Sequence, residues 1–225
     1  MAMGLAKTAN ANGPYLICEE PYSNDLLLSA SCCDDGSIMT DIYLCRHGRT
    51  ALNAAGVLRG RLDPELDVIG MSEAHGLAQH LEQIQFSSVV SSPLLRAVQT
   101  AAELAKADEL SVRTDERLTD RDYGQFNGAP ESRLLKQFGS VDSTPGVESL
   151  AAVTDRALAV ITDVVTGPGP VAVVTHCVVI RMILDALVPL EGDRTHVNPR
   201  TGSWSLIRFT DGVWSAVHLD SKDMA

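Results

Sequence analysis

Three short apolar runs, each released into cationic or imidazole residues, constrain this chain more than any other feature. In the first, residues 41–45, Ile42, Tyr43, Leu44 and Cys45 have strand character and stop at Arg46-His47-Gly48. The second, residues 87–91, is centred on valine and runs into Ser92-Pro93-Leu94-Leu95-Arg96. The third, residues 170–175, is continuously apolar up to Thr175 and ends at His176. Helical periodicity fills the intervals, and strands alternating with helices predict a three-layer α/β/α sandwich with a mainly parallel central sheet. Parallel strands bring Arg46, His47, Arg96 and His176 to one edge of that sheet. That edge is where open α/β sheets place their ligands.

The remaining elements follow from local signals. Asp67 can cap a helix reaching about Gln85, with Ala74, Leu77, Ala78, Leu81 and Ile84 as its apolar stripe. Ser92-Pro93 predicts a helix start, with serine as cap and proline in the first turn, running to about Ala107. Residues 111–114 read as a strand, 115–130 as a polar loop and 131–138 as a short helix. Leu150, Val153, Ala157, Val160, Ile161 and Val164 mark a long amphipathic helix that Gly167-Pro168-Gly169 ends. Residues 177–187 read as the next helix. Two strands, 203–209 and 213–219, flank Asp211-Gly212 and predict a C-terminal β-hairpin.

A chain of 225 residues suits one sizeable core. Residues 1–38 lack sustained periodicity and carry Lys7 as their one base, so they read as a disordered or accessory tail before a domain spanning 39–225. They show no basic region followed by a long apolar stretch, the mark of a signal peptide. Nowhere does an apolar run approach the roughly 20 residues that span a bilayer. Five cysteines, three of them within that first segment, do not form a disulfide framework in so large a domain, and a reducing, cytoplasmic setting is expected.

A net charge of −11 argues against a nucleic-acid or anionic-membrane partner. Yet Arg46, Arg49, Arg59 and Arg61 occur with no Asp or Glu between Arg46 and Leu62. This positive island in an acidic chain reads as an anion site, the alternative being a solvated arginine face. Two guanidiniums and two imidazoles at a strand edge suit a tetrahedral dianion, because arginine presents a forked donor set matched to phosphate oxygens. One imidazole can act as nucleophile while the arginines spread the charge of a transferring phosphoryl group. Cysteine-based phosphatase chemistry at Cys177 needs an arginine six positions on, but position 183 is Ile and Arg181 comes too early. His75 and His80 are five apart, on different faces of their helix, and His196 and His218 have no partner pattern. No metal-ligand set is expected.

Combined, these motifs resemble the histidine phosphatase superfamily, the family that includes cofactor-dependent phosphoglycerate mutase. The resemblance is carried by Arg46-His47-Gly48-Arg49-Thr50 with Asn53, and by Ser91-Ser92-Pro93-Leu94-Leu95-Arg96-Ala97-Val98-Gln99-Thr100-Ala101. Leu118-Thr119-Asp120-Arg121-Asp122-Tyr123-Gly124, Phe126-Asn127-Gly128, Val147-Glu148-Ser149 and Val174-Thr175-His176 follow in the family's order. The resemblance implies His47 as a nucleophile forming a phosphohistidine, with Arg46, Arg96 and His176 on the phosphate oxygens and Asn53 as a further contact. It implies Asp120 as proton donor and no cofactor.

Several residues depart from the family. Asp120 stands where glutamate is usual, one methylene longer, which makes Asp122 and Glu148 alternative donors. Arg49 replaces the commoner Glu or Gln, Arg59 replaces a glutamine, and Cys177 replaces a glycine. Arg49, Thr50 and Arg59 are candidate substrate contacts, the two arginines for a second anionic group or as exposed charges. Thr50, where mutases usually carry serine, and only 55 residues between Asp120 and His176 favour a metal-independent phosphomonoester hydrolase over a mutase. A catalytically weak phospholigand-binding protein is the alternative of another class. The substrate is expected to be a small phosphorylated molecule, with its specificity set by segments 52–63 and 122–149.

Overall fold

The computed structural model describes residues 39–188 and 197–221. The expected tail and His196 lie outside the described residues. Strands β1 (Met39–Arg46), β2 (Ser88–Ser91), β3 (Val112–Thr114), β4 (Val171–Thr175), β5 (Trp204–Thr210) and β6 (Val213–Ser221) form one sheet in the order β3-β2-β4-β1-β5-β6. The first four in that order run parallel, and β5 and β6 add an antiparallel edge. Asp211 and Gly212, at φ 49° and 88°, make the hairpin turn between β5 and β6 that their sequence predicts.

Helices cover both faces, which is why the central strands are apolar throughout rather than alternating. They are α1 (Ala51–Ala54), α2 (Val68–His80), α3 (Leu95–Ala105), α4 (Glu131–Phe138), α5 (Leu150–Val165) and α6 (Cys177–Leu187). Ile42, Leu44, Val171 and Val173 point to one face and pack with Val153, Ala157 and Ile161 of α5 and Ile180 and Ile183 of α6. Tyr43, Cys45, Ala172 and Val174 point to the other and pack with Leu77 of α2 and Ala97, Ala101 and Leu104 of α3. Each fully buried aliphatic side chain here contributes roughly 1.5–3 kcal/mol relative to exposure. Among the described residues, no helix is long and apolar enough to cross a membrane.

Two element boundaries differ from the sequence expectation, each for a local reason. The first long helix, α2, ends at His80 rather than near Gln85, yet Leu81 and Ile84 remain buried through the following turn. Their apolar spacing reports burial, not continued helix. In the second case α3 begins at Leu95, because the Ser92 backbone N–H still donates to Val174 O (2.9 Å) and holds the chain extended beyond β2. The loop after β3 contains two 3-10 turns, Glu116–Leu118 and Gly124–Phe126. It closes over a third small core of Leu58, Tyr123, Phe126 and Leu134.

The topology fixes where chemistry can occur. From β1 the chain leaves through α2 towards β2, whereas from β4 it leaves through α6, on the opposite face, towards β5. Because β1 and β4 are neighbours, their carboxyl ends form a topological switch point, the crevice where open α/β sheets bind ligands. Register brings Arg46 opposite Thr175 and Ser91 opposite Val174. Arg46-His47, Ser92 and His176 therefore leave the sheet at one level. Gly48 lets the turn after β1 lie against α2: a Cβ there would stand 2.3 Å from the Gly70 carbonyl oxygen, and one on Gly70 would stand 1.9 Å from that of Arg49.

Candidate active site

At the switch point, His47 is fully buried and its tautomer follows from its neighbours. Its Nδ1 lies 2.6 Å from the carbonyl oxygen of Gly48. A carbonyl can only accept, so Nδ1 carries the proton and Nε2 keeps a lone pair. Arg96 Nε donates towards that lone pair over 3.3 Å. Burial, then the positive charges of Arg96 and Arg46, hold the His47 pKa well below its ordinary value, so the ring is neutral. An unprotonated ring nitrogen held among cations is the state a nucleophile for an anionic ester requires.

Arg96 organises the surroundings of His47. It is completely buried, and besides the imidazole it donates through Nη1 to Leu62 O (2.8 Å) and through Nη2 to Gly60 O (3.2 Å) and Asp120 Oδ2 (3.1 Å). A buried guanidinium without such partners would be strongly destabilising. Thr100, one turn along α3, accepts from the Gly48 N–H and donates to Arg96 O, tying this helix to the turn after β1. His176 stands across the crevice, its ring centroid 5.1 Å from that of His47. The Nε2 of His176 bonds Ser92 Oγ at 2.8 Å, which is why Ser92 serves the crevice rather than capping α3. Asp120 Oδ2 lies 3.8 Å from His176 Nδ1, and Asp120 Oδ1 accepts from the Arg121 N–H.

Four buried side-chain nitrogens among the described residues have no hydrogen-bond partner: Arg46 Nε, Arg59 Nε, His176 Nδ1 and Trp204 Nε1. The first three belong to residues of this crevice. Buried polar atoms are almost always paired, so three orphaned nitrogens beside one neutral imidazole describe a socket for anionic oxygen atoms. Arg46 is steadied by Nη1 donating to Pro199 O (2.5 Å), and its backbone N–H donates to Ser203 O.

The other sequence candidates sort by what they touch. Thr50 is fully buried and caps α1: its hydroxyl donates to Asn53 Oδ1 (2.8 Å) and accepts from the Asn53 N–H. That leaves the amino end of the Asn53 carboxamide as its free donor. Arg49 Nε pairs with Asp67 Oδ2 at 2.9 Å, so this guanidinium is engaged at the start of α2. Asp122 Oδ1 accepts from the Gly124 N–H and Asn127 Nδ2, a turn-holding role. Glu148 pairs with Arg156 Nε (2.8 Å) and accepts from the Asp122 N–H. Burial opposes its ionisation, but those bonds hold its carboxyl below the ordinary range. Of the three carboxylates weighed as donors, Asp120 is the one that reaches the cluster.

Sequence reasoning missed Arg156. From α5 it donates to the carbonyls of Arg117, Thr119 and Asp120, pinning the backbone that carries Asp120. No local pattern marks this role, because those three carbonyls lie 36 to 39 residues away in the chain.

With this geometry in place, comparison with known proteins decides the family. The model of the histidine phosphatase superfamily (branch 1) matches residues 42–222. The chain belongs to that superfamily. A phosphoserine phosphatase 1 from Hydrogenobacter thermophilus is 30% identical over 196 residues, covering 82% of this chain and 89% of its own. A probable phosphoglycerate mutase from Yersinia pestis is 30% identical over 195 residues, covering 79% and 89%. A solved mycobacterial glucosyl-3-phosphoglycerate phosphatase in complex with VO3 superposes with a TM-score of 0.72 at 25% identity, covering 81% of this chain and 99% of its own. The histidine phosphatase fold is thus the three-layer sheet described above.

The two buried histidines of this superfamily member predict a pH dependence of stability. Burial, then Arg96 and His47, also hold the pKa of His176 well below its ordinary value. Unfolded histidine takes up a proton near pH 6.5, whereas both folded rings do so only at lower pH. Their contribution is therefore complete above about pH 6.5 and is lost as pH falls, by about 1.4 kcal/mol per pH unit for each ring. Urea unfolding in phosphate-free buffer between about pH 7.5 and 5.5 should show this decline, with a shallower slope in His176→Asn. A stability that stays flat over that interval, or a slope unchanged by the substitution, contradicts the assignment of two neutral buried imidazoles.

Proposed function

We propose that this superfamily member is a metal-independent phosphatase that hydrolyses small phosphomonoesters through a phosphohistidine at His47. The observation that carries the reading is the neutral His47 Nε2 facing Arg96 while the buried nitrogens of Arg46, Arg59 and His176 have no partner. Phosphoryl oxygens entering the crevice take the donors of Arg46, Arg96 and His176, with the Asn53 amino group at its margin. Nε2 attacks phosphorus, the P–O ester bond breaks, and the leaving oxygen takes a proton from the Asp120 carboxyl. The resulting carboxylate removes a proton from water. That water's oxygen attacks phosphorus, the P–N bond breaks, and inorganic phosphate leaves with His47 restored. The arginines supply the positive charge that spreads over the transferring group.

Phosphatase relatives, Thr50 and the short Asp120–His176 interval support hydrolysis over mutase chemistry. The test gives the purified chain 3-phosphoglycerate with catalytic 2,3-bisphosphoglycerate, in the presence of a chelator. Free phosphate should appear faster than 2-phosphoglycerate. Rapid isomerisation with little phosphate would establish a mutase, and loss of all activity on chelation, restored by a divalent ion, would overturn the metal-free mechanism.

A further inference from the structure

We infer that Arg59 reads a second anionic group on the alcohol portion of the substrate, so that the preferred phosphomonoesters carry a carboxylate or second phosphate near the ester. This inference rests on the proposed phosphomonoester reaction and concerns which members of that class the crevice favours. In sequence Arg49 and Arg59 were equal candidates, and the structure separates them. Arg49 is paired with Asp67, whereas among the described residues Arg59 makes no ion pair, and its one side-chain hydrogen bond there is a long one, 3.3 Å from Nη1 to Val57 O. Its Nε is buried without a partner. In a chain of net charge −11, seven of the thirteen described arginines have found a carboxylate, among them Arg49, Arg96, Arg121, Arg156 and Arg208.

The position of Arg59 is also built rather than accidental. The Leu58 N–H donates to Ala129 O, and Leu58 O accepts from the Gly128 N–H, which clamps the residue before it. The residue after it, Gly60, gives its carbonyl to Arg96 Nη2 and sits at φ 47°, where a Cβ would lie 2.0 Å from Asn127 Oδ1. These clamps fix the backbone of Arg59 beside Arg96, and its charge bears on Arg46, His47, Arg96 and His176. Arg46, Arg96 and His176 already answer the oxygens of one phosphoryl group. A third guanidinium with an orphaned donor exceeds that need and fits an additional anion, since a preorganised guanidinium fork binds carboxylate or phosphate oxygens in the same way.

The test uses two matched pairs: 3-phosphoglycerate against glycerol 3-phosphate, and propane-1,3-diol bisphosphate against its monophosphate. The wild-type chain should prefer the more anionic member of at least one pair. Arg59→Gln should reduce that preference in kcat/KM by roughly ten- to hundredfold, the size expected of a charge-assisted bond, mainly through KM. Arg59→Lys, which keeps the charge, should retain part of the preference, and thermal unfolding of each variant checks that the crevice still folds. A change confined to the first pair identifies a carboxylate reader and one confined to the second a phosphate reader; both support the inference. A wild-type chain with no preference in either pair overturns it. So does Arg59→Gln lowering both members of each pair equally, which would place Arg59 on the transferring phosphoryl group. If the wild-type chain turns over none of the four, the proposed reaction fails instead. The same four compounds are then titrated calorimetrically into wild type and Arg59→Gln, and the ratio of dissociation constants decides the role of Arg59.

Discussion

His47→Ala should lose turnover by on the order of 10⁴-fold or more, because the proposed reaction then has no nucleophile and no alternative side chain is oriented to replace it. His176 is the nearest imidazole, but its Nε2 is held by Ser92 at 2.8 Å and its Nδ1 faces Asp120 at 3.8 Å. Cys177 is beside the crevice, yet burial pushes its thiol pKa up and Sγ is bonded to Asn198 Oδ1. His47→Gln, which fills more of the buried site, should show the same loss and guards against an effect of the cavity alone. Steady-state hydrolysis of a nitrophenyl phosphate measures both. A residual rate within about tenfold of wild type contradicts a covalent role for His47.

Asp120→Asn separates proton donation from bond formation. Asparagine keeps the shape and one oxygen, which can accept from Arg96 Nη2 in place of Oδ2, at the expense of the acceptor that Oδ1 gives the Arg121 N–H. An alkyl phosphate needs its leaving oxygen protonated and should lose phosphorylation rate by the roughly 10²–10⁴-fold of general acid catalysis. A nitrophenolate leaves without that help and should phosphorylate His47 at a rate much nearer wild type, with slow breakdown of the phosphoenzyme afterwards. The comparison is a rapid-quench burst with each leaving group. Equal, small losses for both would remove Asp120 from the donor role, although Asp122 and Glu148 are each bonded into the loops they hold.

Much of this was legible in the sequence because the chemistry sits at strand ends. Strand runs such as Val171–Thr175 carry their own length and burial signal, and a parallel arrangement then delivers Arg46, His47 and His176 to one edge without further information. Long-range partners were not legible. Nothing near Arg49 or Arg59 distinguishes them; Asp67, 18 residues beyond Arg49, does so only after α2 folds against the turn at Gly48. Ser92 looked like a helix cap because serine before proline usually is one, but its bond to His176 spans 84 residues. Arg156 was invisible as a support for Asp120 for the same reason. Local patterns reveal elements and the residues at their ends, whereas the positioning of those residues depends on contacts that the fold creates.

The central claim is that phosphoryl transfer passes through His47 Nε2. Mixing the protein with a radiolabelled phosphomonoester, quenching in base within the first turnover and mapping the label by peptide sequencing tests it directly. The account predicts an acid-labile, base-stable phosphate on His47, formed in a burst no slower than steady-state turnover and absent from His47→Ala. Turnover without a trappable phosphoenzyme under these conditions, or label on any other residue, would contradict it.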